Sequence, residues 1–140
     1  MQMNVHLNFT GNCGEAFELY KKVFGAKSAF VMKYADAPAG SPVPPDWGGK
    51  IMHTSIPMGD AFLMGCDAPQ GRSAPMGGFQ ISVQSTDEAE VKRIYEALSE
   101  GGSVQMPLAP TFWSPLFGMC TDKFGVGWMV GIPGQPPQQS

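Results

Sequence analysis

The stretch VHLNFTGNCGEAFELYKKVFG, residues 5–25, decides the fold. Val5, Leu7 and Phe9 alternate with His6 and Asn8, the period-two pattern of a strand buried on one face. A helix follows at once. Asn12 stands where it can cap that helix and Glu15 holds the reciprocal position, while Ala16, Phe17, Leu19, Tyr20, Val23 and Phe24 recur at helical spacing until Gly25 supplies the stop. The stretch FQISVQSTDEAEVKRIYEALSEGG, residues 79–102, says the same thing again. Phe79, Ile81 and Val83 alternate with Gln80 and Ser82, Ser85 and Glu88 read as a capping box, and Val91, Ile94, Tyr95 and Leu98 form the apolar stripe before Gly101 and Gly102.

Working outward, residues 29–34 read as a second strand, and residues 36–49 are so rich in proline and glycine that they must be a loop. A loop of that length in a small domain is usually functional or loosely held, and Trp47 is placed to anchor it. Residues 50–56 and 61–66 make two strands around a Met58-Gly59-Asp60 turn, and residues 68–77 return to loop. After the second helix come a strand near residues 103–105, a proline-rich loop, and strands near 116–121 and 127–132 joined by an Asp122-Lys123-Phe124-Gly125 turn. Pro133 to Ser140 is a proline and glutamine tail expected to be flexible, taken as residues 134–140. The pattern is βαβββ twice, an α+β domain in two halves, about 1–67 and 77–133. Each half leaves a sheet face that needs a partner, so the repeat weighs more than any single motif.

At 140 residues with 43% hydrophobic content, the chain suits one domain that buries a core without disulfides or a structural metal. A net charge of -3 leaves no basic footprint for a phosphate backbone, so no nucleic-acid partner is expected. No apolar run is long enough to span a bilayer and residues 1–9 alternate instead of forming a signal-peptide core, which points to a cytoplasmic protein with no membrane partner. Cys13, Cys66 and Cys120 are widely spaced and in no CxxC pattern, the usage of reduced thiols.

Leu7-Asn8-Phe9 with Gly11-Asn12, then Glu15-Ala16 and Tyr20-Lys21-Lys22-Val23-Phe24-Gly25, resemble the opening of PhnB-like proteins of the vicinal oxygen chelate superfamily, which holds glyoxalases, bleomycin resistance proteins and dioxygenases. Ile51-Met52-His53, Trp113, Gly118-Met119, Asp122 to Val126 and Trp128 are similar to that group's later signatures, so the resemblance runs to about Pro133. It implies tandem βαβββ modules forming a curved mixed sheet around a cleft, with helices outside. The resemblance is specific for the subgroup and says little of activity, although one label in the group names a ubiquinone-pathway methyltransferase. If Val5, Leu7 and Phe9 face a helix, then His6 and Asn8 face the cleft, and Gln80 and Ser82 do so in the second half.

Metal-dependent relatives place His, Gln or Glu on the first and fourth strand of each half. The resemblance maps these positions to Asn4 or His6, Met64, Gly78 and Met129, of which His6 alone is an orthodox ligand for a divalent ion. Neither a metal site nor a cofactor is therefore expected. His53 has a structural and a pocket reading, and Asp60, Asp67 and Asp122 fall at predicted turns where carboxylates accept backbone N–H groups. Glu15 and Glu90 belong to outer helix faces, and Met76-Gly77-Gly78 lacks the context of a phosphate loop. The pocket candidates are His6, Asn8, His53, Phe62, Met64, Gln80, Ser82, Trp113, Phe117 and Met129. Three functions compete: a metal-independent binder of a small apolar or mixed-polarity molecule; a metal-dependent lyase, isomerase or dioxygenase using His6 or His53; and a structural homodimer without ligand. A homodimer is expected in each case, because open sheets leave edges that need cover.

Overall fold

The computed structural model describes residues 1–27, 29–69 and 74–134. The predicted tail beyond residue 134 and the middle of the predicted 68–77 loop lie outside the described residues. The chain divides into two compact units, Met1–Met76 and Gly77–Ser140.

The first unit runs β1 (Val5–Phe9), α1 (Cys13–Phe24), β2 (Phe30–Lys33), a 3-10 turn (Tyr34–Asp36), β3 (Ile51–Met58) and β4 (Ala61–Asp67). Its sheet has the order β1-β4-β3-β2, with β1 parallel to β4 and the other pairs antiparallel. The alternation predicted for β1 holds, with Leu7 and Phe9 buried and His6 and Asn8 exposed. Cys13, Ala16, Phe17, Tyr20 and Val23 make the buried stripe of α1. Phe17 meets Phe9 and Tyr20 edge-on and lies so near Gly65 that a Cβ there would stand 2.5 Å from the Phe17 ring. Gly65 is thus the notch that lets the helix seat on the sheet. The helix ends as expected at Gly25, whose φ of 64° is the left-handed conformation glycine adopts without strain.

Its N-terminus is held differently from the sequence reading. Asn12 makes no capping bond through its side chain. Asp67, buried at the end of β4, reaches across instead and accepts the N–H groups of Gly11 and Cys13, each at 2.9 Å, on one oxygen and that of Ile51 on the other. The Tyr34 hydroxyl donates to the Asp67 carbonyl at 2.7 Å. Trp47 packs edge-on against Tyr34, so the long loop is anchored by the predicted residue.

The second unit repeats the order: β5 (Ile81–Gln84), α2 (Glu88–Ser99), β6 (Ser103–Ala109), β7 (Phe117–Thr121) and β8 (Gly127–Gly131), in a sheet ordered β5-β8-β7-β6. Again the first strand pairs parallel with the last. The cap of α2 is Asp87, whose side chain accepts from the N–H groups of Ala89 and Glu90. Ser85, the expected cap, takes the Asp87 N–H and donates to Glu90. Asp122 is buried, with one carboxylate oxygen accepting from Phe124 and Val126 N–H and the other from the Trp128 indole. It is the turn carboxylate the sequence implied, and it also fixes the largest side chain of this core. Phe79, expected on the β5 strand, precedes it and is exposed.

Candidate functional site in the first unit

Strand register assigns the open face of the first sheet, the face away from α1. His6 pairs with Met64, Met64 with Ser55, and Ser55 with Phe30; Asn8 pairs with Cys66, and Met32 with His53. Paired residues share a face and so do alternate residues along a strand, so these side chains, with Phe62 beside Met64, project together from one surface. The surface bears both histidines of the chain. The His6 and His53 rings are stacked with centroids 5.9 Å apart and planes inclined by 19°, and the Phe30 ring lies 6.0 Å from His53. The Cys66 thiol donates to Asn8 Oδ1 at 3.2 Å, and Asn4 Oδ1 accepts the Phe62 N–H at 2.9 Å.

Around these polar atoms the surface is apolar. Phe30 and Phe62 are exposed and Met32 and Met64 half-buried, an arrangement that leaves aromatic and thioether surface in contact with solvent within this unit. Partial burial, and then the neighbouring His53, hold the His6 imidazole below its ordinary value of 6.5. The His6 ring is thereby biased toward its neutral form, able to donate or accept, and is set among apolar groups.

The second unit has an open face of its own. Ser82 pairs with Met129 and Met129 with Met119, while Phe117 pairs with Gly131. Trp113 stacks edge-on to Phe117 at 5.3 Å and Phe112 to Trp113 at 4.7 Å, outside the sheet. Gln80 lies just ahead of β5. The ten predicted pocket residues thus fall into two sets: His6, Asn8, His53, Phe62 and Met64 on the first sheet, and Gln80, Ser82, Trp113, Phe117 and Met129 in the second unit. Phe30, Met32, Ser55 and Cys66 join the first set; for Phe30 and Met32, a second strand of four residues gives too little alternation to fix its faces from sequence.

Of the positions that the resemblance matched to metal ligands, His6 pairs with Met64 on the first sheet, Met129 pairs with Ser82 on the second, and Asn4 and Gly78 each lie ahead of the first strand of their unit. Two thioethers and a hydroxyl with a single imidazole do not suit an ion that seeks imidazole and carboxylate donors. No group of three or more His, Cys, Asp or Glu residues arranged to hold a metal occurs among the described residues.

The first unit also has a cavity of about 490 Å³ on the helix side of the sheet, between α1 and β2–β3. Phe17, Val31 and Ile51 contribute its apolar wall. Lys21, Lys33 and Lys50 stand against Glu15, Glu18 and Asp67, so its charges balance and prefer no ligand charge. Lys50 is already bound to the Gly11 carbonyl, Lys21 pairs with Glu18, and Asp67 is committed to the backbone. That cavity reads as packing around the helix.

A family model described as 3-demethylubiquinone-9 3-methyltransferase matches residues 1–131. Protein YjdN of Escherichia coli is 29% identical, with 99% of this chain and 100% of that protein covered. The crystal structure of protein PA1353 from Pseudomonas aeruginosa is 42% identical and superimposes with a TM-score of 0.85 over 96% of this chain and 99% of that one. The PhnB protein of Bacillus cereus, at 21% identity, 94% of this chain and 99% of that one, shares the fold with a TM-score of 0.75, and the fold extends to glyoxalase-related proteins. The chain belongs to the PhnB-like family described as 3-demethylubiquinone-9 3-methyltransferase, with the tandem βαβββ fold of the glyoxalases.

Proposed function

We propose that this chain works as a cytoplasmic homodimer that binds a small apolar or mixed-polarity molecule against the open face of the first sheet, without a complete superfamily metal site. The observation that carries the reading is the stacked His6–His53 pair surrounded by Phe30, Phe62 and Met64 on one exposed surface. Small-molecule sites combine mostly apolar lining with a few placed polar groups, and this face has that composition. Asn8 belongs to this face; Gln80, Ser82, Trp113, Phe117 and Met129 are proposed separately as ligand contacts within the second unit.

Titrating the protein with a neutral naphthylamine fluorophore tests the reading. Saturable binding is expected, weakened about tenfold or more by Phe62→Ser, since losing an aromatic contact that the ligand would bury costs on the order of 1.5–3 kcal/mol. Equal affinity in the variant would move the site off this face. Saturable binding of a sulfonium methyl donor would instead favour the methyl transfer named in the family description.

A second reading, a metal-dependent lyase, isomerase or dioxygenase, is favoured by the adjacency of the two imidazoles. It predicts stoichiometric nickel, zinc, iron or manganese in protein purified without a histidine tag, lost in His6→Ala or His53→Ala, and a melting temperature raised by added ion. The binding reading predicts well under one equivalent and no such rise.

A further inference from the structure

We infer that the open face of the first sheet selects a planar aromatic monoanion, its ring lying on Phe30, Phe62 and the methionines and its anionic group at the His6–His53 pair. The inference rests on the binding reading above and names the ligand class. Two observations carry it. The side chains that β1 to β4 direct to this face are imidazole, amide, hydroxyl, thiol, thioether and phenyl groups, together with Pro57; no carboxylate is among them. The acidic groups of the unit lie elsewhere: Glu15 and Glu18 on α1, Asp36 closing the 3-10 turn, Asp46 in the long loop, Asp60 in the β3–β4 turn, and Asp67 on the helix side of β4. The face can therefore gain positive charge with no acid on it to neutralise that charge.

The second observation is the geometry of the pair. Rings 5.9 Å apart and nearly parallel bring two donors to one place, where a single carboxylate with two oxygens can engage both. An anion there stabilises the imidazolium form, which at His6 the chain alone disfavours through burial and then through the neighbouring His53. Binding must then take up protons, and affinity rises as pH falls through the imidazole range. A cationic ligand would show the reverse, and a neutral one no trend. The other titratable group on the face is the Cys66 thiol, engaged with Asn8. The charged groups on the strands and turn beside the pair are Lys33 at the end of β2, Asp60 in the β3–β4 turn and Asp67 at the end of β4, where its carboxylate is turned to the helix side.

The test is isothermal titration calorimetry of the full chain with naphthalene carboxylate and its neutral carboxamide, at about pH 5.5 and about pH 8 to bracket imidazole titration. The carboxylate is expected to bind about tenfold tighter at the lower pH, with an enthalpy that depends on the buffer's ionisation heat, while the carboxamide shows neither effect. His6→Gln and His53→Gln, each checked for an unchanged melting temperature, should flatten the carboxylate's pH response. Equal binding of both probes at both pH values would overturn the anion inference while leaving the binding reading intact. Binding of neither would sink both. A pH response that survives the histidine variants and disappears in Lys33→Gln would assign the anion to the helix-side cavity and overturn this assignment.

Discussion

Asp67 is the residue on which the first unit depends most. It is 1% exposed, and its two oxygens accept three backbone N–H groups from the β1–α1 turn, the start of α1 and the start of β3. Those donors come from segments separated by up to 56 positions from the carboxylate, so it joins helix, loop and sheet. Removing it leaves three donors without their acceptor in a buried place, and each hydrogen bond to a charged group contributes about 1.5–3 kcal/mol. Asp67→Ala is expected to lower stability to urea by at least about 3 kcal/mol, whereas Asp60→Ala, exposed in the hairpin turn, should change it by less than about 0.5 kcal/mol. Similar losses at both positions would show that Asp67 is a turn residue like the other. The sequence allowed only part of this to be read. That a carboxylate after a strand accepts backbone N–H groups follows from its chemistry, but a partner 56 residues away leaves no local pattern. The same limit applies to the candidate site: the parity of Val5 to Phe9 put His6 and Asn8 on the open face, but the approach of His53 to His6 depends on the register of β1, β4 and β3 together.

At the scale of the element, periodicity found both helices, and the residues that cap them were misassigned for a physical reason. Asn12 and Ser85 both sit where a cap is sterically possible, and short polar side chains at neighbouring positions compete for the same N–H groups. In α2 the winner is Asp87, one oxygen of which lies 3.0 Å from Ala89 N and 3.4 Å from Glu90 N. In α1 the distant Asp67 does the work. Asp87→Ala should therefore cost about 1 kcal/mol, and Asn12→Ala less than about 0.5 kcal/mol, in denaturant unfolding of the two variants. The reverse order would restore Asn12 as the cap of α1. Strand lengths carry a similar lesson. The sequence ends β6 near Gln105 because Pro107 follows, yet the strand continues to Ala109. β6 is the outer strand of its sheet and its register slips twice along β7, so a residue without an N–H is accommodated at its free edge. The expected strand at 29–34 is shortened at its far end, where Tyr34 turns into a 3-10 turn to reach the Asp67 carbonyl.

For the whole molecule the repeat was the legible feature, since the orders β1-β4-β3-β2 and β5-β8-β7-β6 are the same topology written twice. Each sheet ends in an edge strand with exposed apolar side chains: Phe30 and Val31 on β2, Val104 on β6. Phe112, in the loop before β7, is 97% exposed. Unpaired N–H and C=O groups beside apolar side chains form a surface that favours pairing with another chain. A closed two-fold dimer satisfies such a surface without leaving a further edge for open-ended growth. Light scattering at micromolar concentration is expected to give about twice the chain mass. Introducing a charge at the buried edge should release it, so of Val31→Lys and Val104→Lys the variant that lies in the interface should sediment as the single chain, while the other remains dimeric. A wild-type particle of single-chain mass at every concentration would remove the homodimer, and the exposed edges would then have to be tolerated through the short length of β2 and the bulges of β6, the means by which monomeric sheets protect their margins.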